Sequence, residues 1–207
     1  DPSFLEGEEL VVSADGFPPE QRAECLQAGV RAGTPRGRVH AADLDLAAVR
    51  DAMHRFREDG VEAVAICFLH SFTNDLHEMR AKEVSESEFP TAMICTSREV
   101  MAEHREFERF STTLVNASLM PIMRKYLGRL EALCHSRRVR TNPWIMQSNG
   151  GLGSIESTTR LPITSLYSGP SAGVIAAIKV SKRAGYDDLI TLDVGGTSTD
   201  VCLVVGA

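Results

Sequence analysis

Residues 61–69, VEAVAICFL, are a near-continuous apolar run set directly behind a stretch of helical periodicity, LDLAAVRDAMHRFREDG at 44–60. A strand without polar alternation has to be covered on both faces, which is the situation of strands in α/β layers. The preceding stretch puts Leu46, Val49, Met53 and Phe56 on one helical face, with Gly60 as its stop. The same alternation continues along the chain. DLHEMRAKEVSES (75–87) reads as a helix capped by Asn74 or Asp75, and TAMICTS (91–97) as a second short buried strand. Residues 99–134 read as helix for most of their length, with a kink or break at Pro121. WIMQS (144–148) is a third strand that ends in the glycine loop NGGLG, and ITSLYS (163–168) a fourth. GPSAGVIAAIKVSKRAG (169–185) is a helix with Pro170 near its first turn, and LITLDV and TDVCLVV close the chain as two strands. Alternation from 43 to 193 predicts an α/β fold, a layered sheet with parallel members flanked by helices. Residues 1–42 are harder to read: EELVVS suggests a short strand and PPEQRAECLQAG a helix opened by Pro19 and closed at Gly29.

Composition narrows the partners. The net charge is −6 and no basic cluster is interleaved with aromatics, which argues against nucleic acid. No apolar run approaches membrane-spanning length and no signal peptide is visible, so the expected setting is the cytoplasm. Cys25, Cys67, Cys95, Cys134 and Cys202 are odd in number, scattered and without a CxxC pair, the pattern of buried free thiols. His70 and His77 lack the i,i+4 spacing of helical zinc ligands, and His70 reads better as orienting its loop.

The chemistry-bearing stretch is LITLDVGGTSTD at 189–200. An aspartate at the end of a buried strand, followed by Gly195-Gly196, sets a carboxylate beside backbone N–H groups that a phosphate can approach closely. Thr197, Ser198 and Thr199 add hydroxyl donors, although alternation cannot point all three the same way. Asp193 and Asp200 can meet at one end of a hairpin and would suit a hydrated Mg²⁺. A plain hairpin turn accounts for the same residues. The pattern is neither Walker A nor GxGxxG.

SGPSAGVIAA, a spacer and then LITLDVGGTSTDVCLV resemble paired segments of the actin-like ATPase superfamily. FLHSFTNDLHE (68–78), HREFERFSTTLVNASLMPIMRKYLGRLE (104–131), IMQSNGGL (145–152), SGPSAGV (168–174) and LDVGGTSTDV (192–201) resemble, in order, segments of the hydantoinase A/5-oxoprolinase family. The resemblance covers roughly 45–207 and implies part of an actin-like (ribonuclease H-like) ATPase fold. Residues 43–168 would be the α/β remainder of a first lobe, and 169–207 a crossing helix plus the first hairpin of a second lobe. It implies ATP-driven opening of a small cyclic amide (hydantoin, N-methylhydantoin or 5-oxoproline) through a phosphorylated intermediate, with a hydantoinase B-type second subunit as partner.

On that resemblance Gly195, Gly196, Thr197, Ser198 and Thr199 would hold nucleotide phosphate. Asp193 and Asp200 would be catalytic, meeting Mg²⁺ through water. Gly169, Pro170, Ala172 and Gly173 would be hinge residues whose small size permits close packing. Ser148, Asn149, Gly150 and Gly151, with Glu108, Arg109, Ser111 and Thr112, would be candidates for a substrate cleft. A tight turn explains the first four equally well. A solvated helix face with ion pairs such as Arg105 to Glu108 explains the second four. Two alternatives stay open: a nucleotide-gated actin-like scaffold, and an acetone-carboxylase-type subunit. The family's first phosphate turn and its adenosine segment are not among these residues. The expectation is therefore an internal fragment, inactive by itself.

Overall fold

The computed structural model describes residues 44–206 together with the backbone of Arg31–Ala32 and Val39–His40. The expected strand in 8–13 and helix in 18–29 lie outside the described residues. Contacts divide the chain into two units, Asp1–Ala52 and Met53–Ala207. In the first, strands β1 (Arg31–Ala32) and β2 (Val39–His40) pair antiparallel. Helix α1 (Leu46–Glu58) begins there, opened by Asp45, whose Oδ1 accepts from the N–H groups of Ala47 and Ala48, each at 3.0 Å.

The second unit is built on one parallel ladder, β3 (Ala63–Ile66) beside β4 (Met93–Thr96), in the register Ala63↔Met93 to Ile66↔Thr96. Helix α2 (Leu76–Glu88) makes the crossover between them. A four-residue turn of helix, α3 (Ser97–Val100), follows β4 and is closed by a capping box: Thr96 Oγ1 accepts from Glu99 N–H, and Glu99 Oε2 accepts from Thr96 N–H. Then comes α4 (Glu106–Ser136). Ala117 and Met120 of α4 meet Cys95, with Ala63, Ala65, Met93 and Val100 packed around them. Small side chains on that face of the ladder let the long helix approach closely. Val64 and Ile66, also buried, alternate to the opposite face.

The helix–strand alternation is therefore real, but its expected outcome is corrected in scale. Among the described residues the strands form four two-stranded sheets rather than one layered sheet, and only β3–β4 is parallel. β5 (Ile145–Met146) pairs antiparallel with β6 (Leu152–Gly153), and β7 (Leu189–Val194) with β8 (Thr199–Val204).

Two local expectations also change. Helix α4 runs through Pro121 without a break; the interruption falls at Met101 and Arg105, which are both extended. Pro121 forfeits one backbone bond, yet Ala117, Met120, Pro121 and Leu127 are all buried on the helix, and that burial holds it together across the gap. ITSLYS does not form a strand: Pro162–Ser165 is a 3₁₀ turn. Thr164 and Ser165 donate their hydroxyls to the carbonyls of Leu161 and Pro162, and Asn116 Oδ1 accepts from Ile163 N–H. Such side-chain bonds give the backbone an alternative to a ladder. Helix α5 (Ile155–Arg160) precedes this turn and α6 (Ser168–Ala184) follows it, ending at Gly185 with φ of 84° as a left-handed cap.

The thiols behave as the sequence implies where they are packed in. Burial pushes both Cys67 and Cys95 up to about 11, so each stays protonated near neutral pH. Timed alkylation of the native protein with iodoacetamide, read by mass spectrometry, should modify Cys134 and Cys202 before Cys67 and Cys95. Labelling of Cys67 or Cys95 at an equal rate would contradict this packing.

Candidate functional site

β7 and β8 are brought into register by the turn at 195–198. Val194 stands opposite Thr199 and Asp193 directly opposite Asp200. The two carboxylates thus share one face of the hairpin end, and Thr199 lies on the other. Both aspartates are exposed, and neither is ion-paired among the described residues. Like charges facing each other across a ladder destabilise it by about 0.2–1 kcal/mol.

The turn's own geometry is simple. Gly195 donates its N–H to Ser198 O at 2.9 Å, so that donor is engaged inside the turn. Neither Gly195 nor Gly196 adopts positive φ, unlike Gly60, Gly150, Gly185 and Gly206. A Cβ added at Gly196 would meet nothing within 4 Å, and one at Gly195 only Ser198 O at 3.5 Å. The backbone and its neighbours therefore do not require glycine at either position. No atom of the described residues covers the position where a Gly196 side chain would stand. Among the described residues no group of three or more His, Cys, Asp or Glu is arranged to hold a metal. A paired carboxylate site of this kind fits Mg²⁺, which binds through one or two carboxylates and keeps its water, and does not fit zinc.

The residues 148–151 form a joint with the start of α6. Ser148 N–H donates to Thr164 O, Ser148 Oγ accepts from Tyr167 N–H at 3.0 Å, and Ser148 O accepts from Ser171 Oγ at 2.6 Å. Asn149 Oδ1 accepts from Gly151 N–H within the loop. Gly150 has φ of 83° and abuts Ile175 of α6, where a Cβ would collide with the isoleucine side chain. Along α6, by contrast, Gly169 and Gly173 border open space: no atom of the described residues approaches where their side chains would be.

The α4 set separates. Glu108 is exposed and pairs with Arg105 at 3.5 Å, the i,i+3 contact expected of a solvated face. Ser111 and Thr112 are half-buried. Arg109 lies in the interior at 0% exposure. Its Nη2 donates to Phe68 O at 2.7 Å and sits 3.5 Å from Glu106, its Nη1 donates to Glu103 O, and its guanidinium stands over the Phe72 and Phe110 rings. Among the described residues no hydrogen bond or ion pair joins Glu108, Arg109, Ser111 or Thr112 to the 148–151 loop or to the 195–198 turn.

Sequence reasoning missed Glu78, the counterpart of Arg109. It is wholly buried, accepting from Phe68 N–H at 2.9 Å, Ser97 Oγ at 2.6 Å and Arg98 N–H at 2.9 Å. An acid in the first turn of a helix ordinarily reads as a dipole partner facing solvent, so its inward orientation has no one-dimensional signal. Glu99 forms a second acid-centred junction. Burial opposes its ionisation, but the Lys82 hydrogen bond at 2.6 Å, the Thr96 N–H and the Arg160 charge win, and its carboxyl is held below the usual range.

With this geometry established, comparison with known proteins gives the family. Two models match the chain: hydantoinase/oxoprolinase N-terminal region over residues 21–89, and hydantoinase/oxoprolinase over 109–207. The chain belongs to the hydantoinase/oxoprolinase family. It is 39% identical over 163 residues to the caprolactamase subunit alpha of Pseudomonas jessenii, covering 79% of this chain and 23% of that one. It is 32% identical over 159 residues to the 5-oxoprolinase of Saccharomyces cerevisiae, covering 76% and 12%. The solved structure of the ATP-dependent caprolactamase from Pseudomonas jessenii matches with a TM-score of 0.69 at 30% identity, over 97% of this chain and 30% of that chain. The chain therefore spans 12–30% of the length of these hydantoinase/oxoprolinase relatives. No helix among the described residues is long and apolar enough to cross a membrane.

Proposed function

We propose that this chain carries one phosphate- and metal-holding element of an ATP-dependent enzyme that opens a cyclic amide. The observation that carries the reading is the hairpin end: opposed Asp193 and Asp200 beside a Gly195-Gly196 turn whose backbone needs no glycine. Relatives named as an ATP-dependent caprolactamase and a 5-oxoprolinase support lactam opening as the reaction class. ATP supplies the phosphoryl group that converts the unreactive amide oxygen into a leaving group. The residues of this chain position and neutralise. Gly196 and Thr197 offer backbone N–H groups, Thr197 and Ser198 offer hydroxyls, and Asp193 and Asp200 hold hydrated Mg²⁺ at the phosphates. Helix α6, fastened at its start by Ser148, is the crossing between lobes of an actin-like fold, and Gly169 and Gly173 give its open face room for a close neighbour. A relative bearing the name subunit alpha supports a second, hydantoinase B-type subunit as partner.

The test uses the full-length protein with Mg-ATP and a panel of hydantoin, 5-oxoproline and caprolactam. One of the amides should stimulate ATP hydrolysis. Gly196→Ala, which meets no protein atom, should leave the unfolding temperature unchanged and weaken nucleotide affinity about 10-fold or more. An ATPase indifferent to every amide, combined with filament or partner assembly on ATP, would replace the enzyme by a nucleotide-gated scaffold.

A further inference from the structure

Helices α2, α3 and α4, strand β4 and the end of α5 do not close completely on one another. They leave an open cavity of about 160 Å³ between them. Its floor is apolar: Ile94 and Cys95 of β4, Met120 of α4, and Leu161 just beyond α5. The first three are buried. Burial keeps the Cys95 thiol protonated, so the floor carries no charge near neutral pH. Protein interiors hold few voids larger than one water, and a cavity of about 150 Å³ admits a benzene ring. This one has room for a ligand of that order.

The rim is polar, with one residue from each of three helices. Lys82 of α2 donates to Glu99 Oε1 of α3 at 2.6 Å, and Arg160 Nη2 of α5 lies 3.6 Å from the same oxygen. Glu99 Oε2 accepts from Thr96 N–H, so both oxygens of the carboxylate are engaged. The cations keep donors to spare. An ammonium carries three and a guanidinium five, and a single carboxylate oxygen uses few of them. Among the described residues the Arg160 guanidinium has that one ion contact and no side-chain hydrogen bond. Lys82 has one further acidic neighbour, the exposed Glu86 at 3.9 Å, which does not line the cavity. Two cations against one carboxylate leave the lining with one net positive charge above an uncharged floor. Ion pairs this exposed contribute little to stability, so tying helices together is a weak reason for three charges to converge here.

We propose that this cavity binds a small carboxylate with a short apolar chain, its head group on Arg160 and Lys82 and its chain over Met120. A guanidinium suits a carboxylate through charge-assisted hydrogen bonds, and the chain displaces water from the apolar floor. No residue of the β7–β8 hairpin lines the cavity, so the site stands whatever reaction the whole protein performs. Calorimetry of the full-length protein with hexanoate should give a Kd of about 1 mM or tighter. Hexanol keeps the chain and inorganic phosphate keeps the anion; each should bind at least about 10-fold more weakly. Arg160→Gln changes an exposed side chain, so the unfolding temperature should hold while hexanoate affinity falls about 10-fold or more. Lys82→Gln should weaken binding in the same direction. With carbon-13 in the methionine methyl groups, hexanoate should shift the Met120 signal, assigned through Met120→Leu. A wild type that does not bind hexanoate at several millimolar has its cavity filled in the whole protein, and overturns the site. Hexanol or phosphate binding as tightly as hexanoate overturns the ligand class. Unchanged affinity in both variants, or a Met120 signal that stays put, places hexanoate elsewhere and overturns the site too.

Discussion

Replacing Glu78 by alanine is expected to lower the unfolding free energy by about 3–5 kcal/mol, because three donors at a buried site are left without an acceptor at a cost of about 1–3 kcal/mol each. The expectation follows from what is left behind. Phe68 N–H, Ser97 Oγ and Arg98 N–H all lose their acceptor at once, and two of the three are backbone donors that cannot turn away. Glu78 is 0% exposed, so water does not reach the vacated site without opening the structure. The three donors belong to two elements: the loop after β3 and the first residues of α3 are both sewn to α2 through this one carboxylate. Glu78→Gln keeps the shape and one carbonyl oxygen, and should lose distinctly less than Glu78→Ala. Urea denaturation of wild type and both variants measures the difference. A loss below about 1 kcal/mol for Glu78→Ala would mean that the three donors find other acceptors, and that the loop is not held in the way described.

This network also marks where sequence reading reaches its end. Periodicity exposed Leu46–Glu58 as a helix and Ala63–Ile66 and Met93–Thr96 as strands, because their apolar spacing is a local property. The hairpin Leu189–Val194 with Thr199–Val204 was legible for the same reason, down to the meeting of Asp193 and Asp200. The 3₁₀ turn at Pro162–Ser165 was not, since Asn116, dozens of residues away, supplies the acceptor that favours it over a strand. Arg109 gives the clearest contrast. In sequence it sits among Glu106, Glu108 and Arg105, and any of the four could face water. The Phe68 carbonyl and the Phe72 ring, brought across from the β3 loop, distinguish the one that turns inward. The glycines of the 195–198 turn teach the converse. Sequence left them as either turn formers or phosphate ligands, and the backbone angles removed the conformational need for glycine.

Asp193→Asn should separate stability from function at the hairpin in opposite directions. Asp193 faces Asp200 across the ladder with no cation beside either among the described residues, so neutralising one carboxylate removes a repulsion. Stability measured in the absence of Mg²⁺ should rise by about 0.2–1 kcal/mol. Asparagine keeps the size and an oxygen of the original side chain, and the register has no reason to shift. Amide-stimulated ATP hydrolysis by the full-length variant should nevertheless fall by about 10–100-fold, the usual consequence of losing a group that holds a metal ion through its water. The Mg²⁺ concentration giving half-maximal activity should rise as well, because one of two negative charges that attract the hydrated ion is gone. Measuring turnover against Mg²⁺ for wild type, Asp193→Asn and Asp200→Asn distinguishes the two carboxylates: the larger shift identifies the one nearer the ion. A variant whose turnover and Mg²⁺ dependence match wild type would assign the aspartates to the turn alone. The facing charges would then have no compensating ligand, which is the arrangement that hairpin energetics disfavours.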